Sequence, residues 1–168
     1  MVQVKCNTYI PHNEDMTKHF SNFSFDLSCF QKYSIEGIVE GNHVLVTAHT
    51  GSGKTLPAEF SIEYFTSLGK KVIYTSPIKA LSNQKFHEFQ TKFPNISFGI
   101  LTGDIKFNPE ADVLIMTTEI LRNTLYMKKS NVNSNLLDFN IDIDNDLGCV
   151  IFDEIHYIND ADRGKIWE

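Results

Sequence analysis

Cysteine is scarce: Cys6, Cys29 and Cys149 are the only three, and no two are spaced as C-x-x-C. That spacing excludes a disulfide framework and a cysteine zinc site, and it predicts a reducing compartment. No apolar run approaches the ~18 residues of a membrane span, and the first sixteen residues are polar. The expectation is therefore a soluble, intracellular protein with no membrane partner, and nothing here separates cytoplasm from nucleus. Positive charge is also short, with 15 Lys and Arg against 21 Asp and Glu and a formal net charge of −6. The deficit is local, because residues 1–126 hold 11 basic and 12 acidic side chains whereas residues 127–168 hold 4 and 9. A broad basic face for nucleic acid is excluded, so any contact with a phosphate backbone has to use N–H groups and a few local lysines. What is left, at 42% hydrophobic and 21% charged over 168 residues, is the ordinary composition of one globular core.

The most informative stretch is V-L-V-T-A-H-T-G-S-G-K-T, Val44 to Thr55. It predicts a short apolar strand, a glycine-rich turn and a helix from Lys54 to about Leu68. Gly51 and Gly53 can take backbone angles closed to other residues, so that successive N–H groups point inward around an anion. Lys54 would reach the β- and γ-phosphates of a nucleoside triphosphate, the Thr55 hydroxyl would ligate Mg²⁺, and the helix would add its N-terminal dipole. The general phosphate-loop spacing asks for glycine where Ala48 stands, which leaves a weakened loop and a variant A-x-x-G-x-G-K-T spacing both open.

Along the rest of the chain, residues 1–22 show no sustained periodicity and are expected to be a loosely held lead-in with one short strand, Val2 to Cys6. In F-S-F-D-L-S-C-F-Q-K-Y-S-I-E-G-I, Phe23 to Ile38, Ser28 can cap a helix whose Phe30, Ser34, Ile35 and Ile38 share a face. Phe25 and Gln31 admit two readings: core packing with an exposed amide, or an aromatic platform and a two-way amide for a purine ring. Beyond the glycine turn, Leu56, Phe60, Tyr64 and Leu68 recur at i, i+4 and predict a buried helix stripe. Lys71–Thr75 is read as a strand, and Thr75–Gln90 as a strand turning into a helix, with Pro77 where a first turn tolerates proline. Ile78, Leu81, Phe86, Phe89 and Phe93 are its expected core side. Strands over Asn95–Leu101 and Asp112–Thr117 follow, the first leading into Thr102-Gly103-Asp104 and the second into a helix from Thr118. Residues 128–147 are rich in Asn and Asp and predict a solvated excursion. Asp142, Asp144 and Asp146 echo a calcium loop but lack its glycine and closing glutamate. Cys149–Phe152 returns as a buried strand carrying D-E-I-H at its C-terminal end, where α/β sheets bind ligands. Asp153 can hold Mg²⁺ through water, and Glu154 can take a proton from a water attacking the γ-phosphate. His49 and His156, without a third ligand in spacing, are read as hydrogen-bonding groups of the nucleotide site.

Six segments in this order resemble the first RecA-like domain of superfamily 2 DExH-box helicases, most closely the exosome-associated RNA helicases, from about Phe23 to Glu168. A-H-T-G-S-G-K-T is similar to motif I, T-S-P-I-K-A-L-S-N-Q-K to motif Ia, T-G-D to motif Ib, T-T-E-I-L-R-N-T-L-Y to motif Ic, and V-I-F-D-E-I-H-Y-I-N-D to motif II. The closing D-R-G-K-I-W-E follows the same branch. The resemblance favours the variant reading of Ala48. It implies a RecA-like P-loop NTPase fold of α/β class, a mostly parallel sheet flanked by helices. It also implies ATP and Mg²⁺ as ligands: Phe25 and Gln31 on adenine, and the motif I residues His49, Thr50, Gly51, Ser52, Gly53, Lys54 and Thr55 around the phosphates. Thr55 and Asp153 would serve the metal and Glu154 the water. Pro77, Lys79, Ala80, Thr102, Gly103, Thr117 and Thr118 would line a path for single-stranded RNA, mostly by N–H and hydroxyl contacts to phosphate.

Two departures stand against the pattern. The stretch from about Asn131 to Asp146 is longer than the family's connection. The sequence as given also stops before motif III and before the second RecA-like domain with its motifs IV to VI and arginine finger. Residues 1–22 are thus expected to be a lead-in and 23–168 an incomplete first RecA-like domain, truncated before the motif III strand. Two apolar strands would face a void or close up in another order, and folding would be marginal. The function implied is the ATP-binding lobe of an ATP-dependent RNA helicase, nearly inactive alone and completed by a second polypeptide. The alternative is a non-enzymatic ATP- or RNA-binding module.

Overall fold

A computed structural model describes residues 2–5, 8–11, 16–129, 141–143 and 145–160, and of residues 128 and 129 only the backbone. It divides into two units, Met1–Glu63 and Tyr64–Glu168.

In the first unit a short helix α1 (Thr17–Phe20) precedes α2 (Cys29–Val39). The start of α2 is fixed as the sequence predicts: Ser28 is the N-cap, and the Gln31 side chain reaches back so that its Oε1 accepts the Ser28 N–H at 2.9 Å. The buried face of α2 holds Gln31, Ser34, Ile35 and Glu36. Part of the lead-in is tied to it. The Tyr33 hydroxyl accepts the Ile10 N–H at 3.2 Å and donates to the Thr8 carbonyl at 3.1 Å, and the Tyr9 hydroxyl donates to Glu36 Oε1 at 3.3 Å. Tyr9 also stands edge-on to Tyr33 and Phe20, with centroids 4.9 and 5.5 Å apart. Burial, followed by the Glu36 carboxylate, pushes its hydroxyl up to about 12. The strand expected from Val2 is not formed: residues 2–5 are irregular, Val2 and Val4 are exposed, and Cys6 lies outside the described residues.

The strand expected at Val44–Ala48 is absent as well. Residues 42–49 carry no regular structure and Leu45 is 71% exposed. An apolar run has strand propensity, but it becomes a strand only when a neighbour takes its N–H and C=O groups, and none does so among the described residues. The helix after the glycine turn does form, as α3 (Thr55–Ser67), which crosses from the first unit into the second. Pro57 sits in its first turn, where no intrahelical N–H bond is lost. Leu56 and Phe60 are buried, whereas Leu68 lies beyond the helix end and is 57% exposed, so the predicted stripe stops one turn early.

The second unit is built on β1 (Lys71–Ser76), α4 (Lys79–Lys92), β2 (Phe98–Leu101), β3 (Lys106–Phe107), β4 (Val113–Thr117), α5 (Thr118–Lys129) and β5 (Leu147–Phe152). The strand order is β3-β2-β4-β1-β5. β2, β4, β1 and β5 are mutually parallel, and only β3 runs antiparallel, beside β2. This is the mostly parallel α/β sheet expected, and its central strands show why: every residue of β4 and five of the six in β1 are buried, as in sheets covered on both faces. β5 lies at an edge of the sheet. The β2–β3 hairpin, which no sequence signal announced, closes tightly around Gly99. A Cβ there would collide with the Asn108 carbonyl and come within 2.7 Å of Leu114.

Phe89 is fully buried at the centre of an aromatic group with Tyr74, Phe93 and Phe98, at centroid distances of 5.2, 6.1 and 6.4 Å. A second group joins Ile73, Leu101, Ala111, Leu114, Met116, Leu121 and Ile141. Ile141 is a correction, because it falls in the stretch expected to be solvated and is fully buried. Nearby, the Asp142 carboxylate accepts the Asn145 N–H at 3.2 Å and its Nδ2 at 2.8 Å, so it closes a turn on its own chain. Asp144, most of the Asn/Asp-rich insertion and the closing residues 161–168 lie outside the described residues. Burial pushes the Cys149 thiol up to about 12, which keeps it a protonated packing group at neutral pH.

Candidate functional site

The glycine turn of the first unit adopts the backbone that its composition predicts. Gly51 and Gly53 have φ of +83° and +84°, in the left-handed region that favours glycine. The two are not equivalent. A Cβ on Gly51 would meet nothing within 4 Å, whereas one on Gly53 would lie 2.6 Å from Gln31 Nε2. The turn is braced from within: the His49 carbonyl accepts the Ser52 N–H at 3.3 Å and its hydroxyl at 2.7 Å. Lys54 folds back so that its Nζ donates to the Ala48 carbonyl at 2.8 Å. His49, Thr50, Gly51, Gly53 and Lys54 are exposed, Ser52 is half-buried, and half-buried Thr55 opens α3.

Gln31 corrects the reading that left its amide exposed. Its amide is neither exposed nor free. The side chain is 6% exposed, its oxygen holds Ser28, and its Nε2 donates to the Gly53 carbonyl at 3.2 Å. It is therefore a clasp between the start of α2 and the phosphate turn. Phe25 is 56% exposed, which overturns the core-packing reading. It stands with Phe23, Leu27 and Lys32 on an open concavity of about 470 Å³ that no residue of the glycine turn lines.

In the second unit the four parallel strands end on one rim, which brings residues 76–80, 102–104, 117–118 and 153–154 to the same side of the sheet. At the β5 end, the Asp153 N–H continues the pairing by donating to the Thr75 carbonyl at 2.9 Å. Both Asp153 carboxylate oxygens are engaged: Oδ1 accepts the Glu154 N–H at 2.9 Å and Oδ2 accepts the Tyr74 hydroxyl at 2.6 Å. Burial first, and then the Asp153 charge, pushes the Tyr74 hydroxyl far above its ordinary range, so it stays a donor. Glu154 is one of two described non-glycine residues with positive φ, at 53°, and its Oε2 lies 3.1 Å from His156 Nδ1. A 3₁₀ turn, Ile155–Asn159, follows.

Along the same rim, Lys79 Nζ pairs with Asp104 Oδ2 at 2.6 Å, and it lies 3.2 Å from where a Gly103 Cβ would stand. Pro77 is half-buried and Ala80 exposed. Thr102, Thr117 and Thr118 are buried. The Thr102 Oγ1 accepts the Ile105 N–H at 3.2 Å, and the Thr118 hydroxyl donates to the Ser76 carbonyl at 3.3 Å, so both hydroxyls shape the rim from within. Tyr74 and Asp104 were not foreseen. A tyrosine inside a buried strand is itself the signal for the first, because its hydroxyl must find a partner.

Among the described residues no group of three or more His, Cys, Asp and Glu side chains could hold a metal ion. Thr55 in the first unit and Asp153 in the second each offer one oxygen-bearing group, and Mg²⁺ takes one or two protein oxygens with the rest from water and phosphate.

Comparison with known proteins gives one family. The chain is 46% identical over 147 residues to the antiviral helicase SKI2 of Saccharomyces cerevisiae, a match covering 88% of this chain and 10% of that protein. It is 47% identical to human superkiller complex protein 2, over 87% of this chain and 11% of that protein. With the human exosome RNA helicase MTR4 it shares 41% identity, over 95% and 14% respectively. The chain thus spans about a tenth to a seventh of the length of these relatives. The fold has a solved counterpart in a hypothetical ATP-dependent RNA helicase from Sulfolobus tokodaii, with a TM-score of 0.59 at 21% identity over 92% of this chain and 45% of that one. Residues 28–168, well over half the sequence, match the DEAD/DEAH box helicase model, and the chain belongs to that family.

Proposed function

We propose that residues 23–168 form the ATP-binding lobe of an ATP-dependent RNA helicase. The observation that carries this reading is the phosphate turn, with two left-handed glycines and a lysine within one loop at the head of a helix. Lys54 is held only by a neutral carbonyl, and a charged phosphate is the stronger acceptor, so it exchanges Ala48 for the β- and γ-phosphates when nucleotide arrives. Thr55 and Asp153 would each offer an oxygen to Mg²⁺, which when bound would neutralise charge on the phosphates. Glu154 accepts the proton of the attacking water, and His156 at 3.1 Å orients its carboxylate. Gln31 acts on the loop through Gly53, and Phe25 supplies the exposed ring for adenine. Hydrolysis coupled to unwinding belongs to an assembly that adds a second RecA-like lobe, whose arginine finger is worth ~10³–10⁵ in rate in other nucleotide hydrolases.

A fluorescent ATP analogue titrated into the purified chain tests the reading. Saturable binding that tightens with Mg²⁺ is expected, and RNA-stimulated turnover only after a second lobe is added. Absence of any nucleotide binding by the folded chain would refute it.

For RNA, we assign the strand path to the rim at Pro77, Lys79, Ala80 and Gly103, with buried Thr102, Thr117 and Thr118 setting its shape. In the free chain Asp104 occupies Lys79 where a phosphate would sit, through an exposed pair worth only ~0–1 kcal/mol. Asp104→Asn is therefore expected to tighten single-stranded RNA binding about 2–5-fold at low salt, an effect that shrinks as salt rises. Fluorescence anisotropy with labelled RNA reads this out, and an unchanged affinity at every salt concentration would remove Lys79 and Asp104 from the path.

A further inference from the structure

The geometry points to Tyr74 as a positioning residue for the acidic pair Asp153-Glu154, one that sets the orientation of the Asp153 carboxylate toward Mg²⁺. This inference rests on the ATP-binding reading above. Tyr74 lies inside β1, 1% exposed, with its ring edge-on to Phe89 at 5.2 Å. Its opposite number on β5 is Ile151, yet its hydroxyl reaches two residues further and meets Asp153 Oδ2 at 2.6 Å. The backbone of Asp153 is fixed independently by its N–H on the Thr75 carbonyl.

The side chain of an aspartate just past a strand end would otherwise turn about two bonds. Here one oxygen is fixed from the sheet interior by Tyr74 and the other by the Glu154 N–H, so the carboxylate plane has a single setting. The second of those bonds also helps hold Glu154 at φ 53°, a conformation uncommon for a residue with a side chain. Removing the Tyr74 hydroxyl therefore loosens Asp153 directly and Glu154 through it. A packing role alone would leave both unaffected, because phenylalanine keeps the ring and its contact with Phe89.

The test compares the full chain with Tyr74→Phe, Asp153→Asn and the double variant. A fluorescent ATP analogue is titrated in Mg²⁺ and again in EDTA, and exchange of the Glu154 amide is followed by NMR. Tyr74→Phe is expected to reduce the Mg²⁺ enhancement of nucleotide affinity about 3–10-fold, leave the EDTA affinity unchanged, and speed Glu154 exchange at least 5-fold. Asp153→Asn should abolish the enhancement, and adding Tyr74→Phe to it should change nothing more. Full retention of the enhancement, or an equal loss with and without Mg²⁺, would overturn the assignment. If the unmodified chain binds no nucleotide, the ATP-binding reading fails, and Glu154 exchange decides this inference alone: acceleration upholds the positioning role and unchanged exchange overturns it.

Discussion

Gly53→Ala weakens ATP-analogue binding about 100-fold, whereas Gly51→Ala weakens it about 10-fold, although the two residues share nearly the same backbone angle. Both substitutions force a side chain into the left-handed region, at ~1–2 kcal/mol each, and this strain accounts for about the first tenfold. Gly53 carries a second penalty. Its new Cβ would stand 2.6 Å from Gln31 Nε2, so either the amide leaves the Gly53 carbonyl or the turn shifts away from α2. A bond of this kind contributes ~0.5–1.5 kcal/mol, and a displaced turn also misdirects the N–H groups that would meet phosphate. Isothermal titration of the two variants measures the difference, with thermal melts to show that the exposed loop does not carry the fold. In the double variant Gln31→Ala/Gly53→Ala the collision is gone, and part of the loss should return. Equal losses for the two glycines would mean that Gln31 does not act as a clasp on the loop.

The largest effect on stability is expected at Phe89. It is fully buried and touches Tyr74, Phe93 and Phe98, so alanine there removes a ring from the middle of an aromatic group and leaves a cavity. Such truncations cost ~3–5 kcal/mol, which is a large share of the ~5–15 kcal/mol available to a native domain. A fall in Tm of roughly 10–15 °C follows for a chain of this size. Leu68→Ala is the matched control. The i, i+4 pattern groups Leu68 with Leu56 and Phe60, yet it lies past the end of α3 and is exposed, so a change within ~0.5 kcal/mol is expected. A comparable destabilisation by both variants would contradict the burial described for α3. Since the Phe89 ring also backs Tyr74, its removal should speed exchange at Glu154 as well.

The helices and the inner parallel strands of the second unit were legible in the sequence because the period of the apolar residues and the burial that produces it coincide there, whereas β5, expected to be buried, is half-buried at the sheet edge with Phe152 exposed. β4, fully buried, reads as a continuous apolar run, and Phe86, Phe89 and Phe93 mark the inner side of α4. Legibility fails wherever an outcome depends on a partner remote in sequence. Val44–Ala48 has strand composition, but the local sequence does not encode the neighbour that would make it one. Ile141 sits among asparagines and aspartates and is buried because β4 and α5 supply apolar contacts. β3 is two residues long and has no period to detect. In the candidate site, residue types and spacings pointed to Lys54, Thr55, Asp153 and Glu154. The bonds from Tyr74 to Asp153, across 79 positions, and from Gln31 to Gly53, across 22, are tertiary and left only indirect traces.

The strand order has a kinetic corollary. Val72 of β1 faces Val113 on one side and Cys149 on the other, so this inner strand has no partner close to it in the chain. During synthesis K-V-I-Y-T-S emerges with both edges bare and must wait for β4, whereas β2, β3 and β4 find one another within about twenty residues. Non-local parallel pairing of this kind is slow and leaves an exposed apolar strand open to other chains. β5 is the last described strand to emerge, and it carries Asp153 with it. Among the described strands the one that bears the acidic pair is thus the last to be added, and a chaperone that shields β1 would determine how many copies ever acquire it.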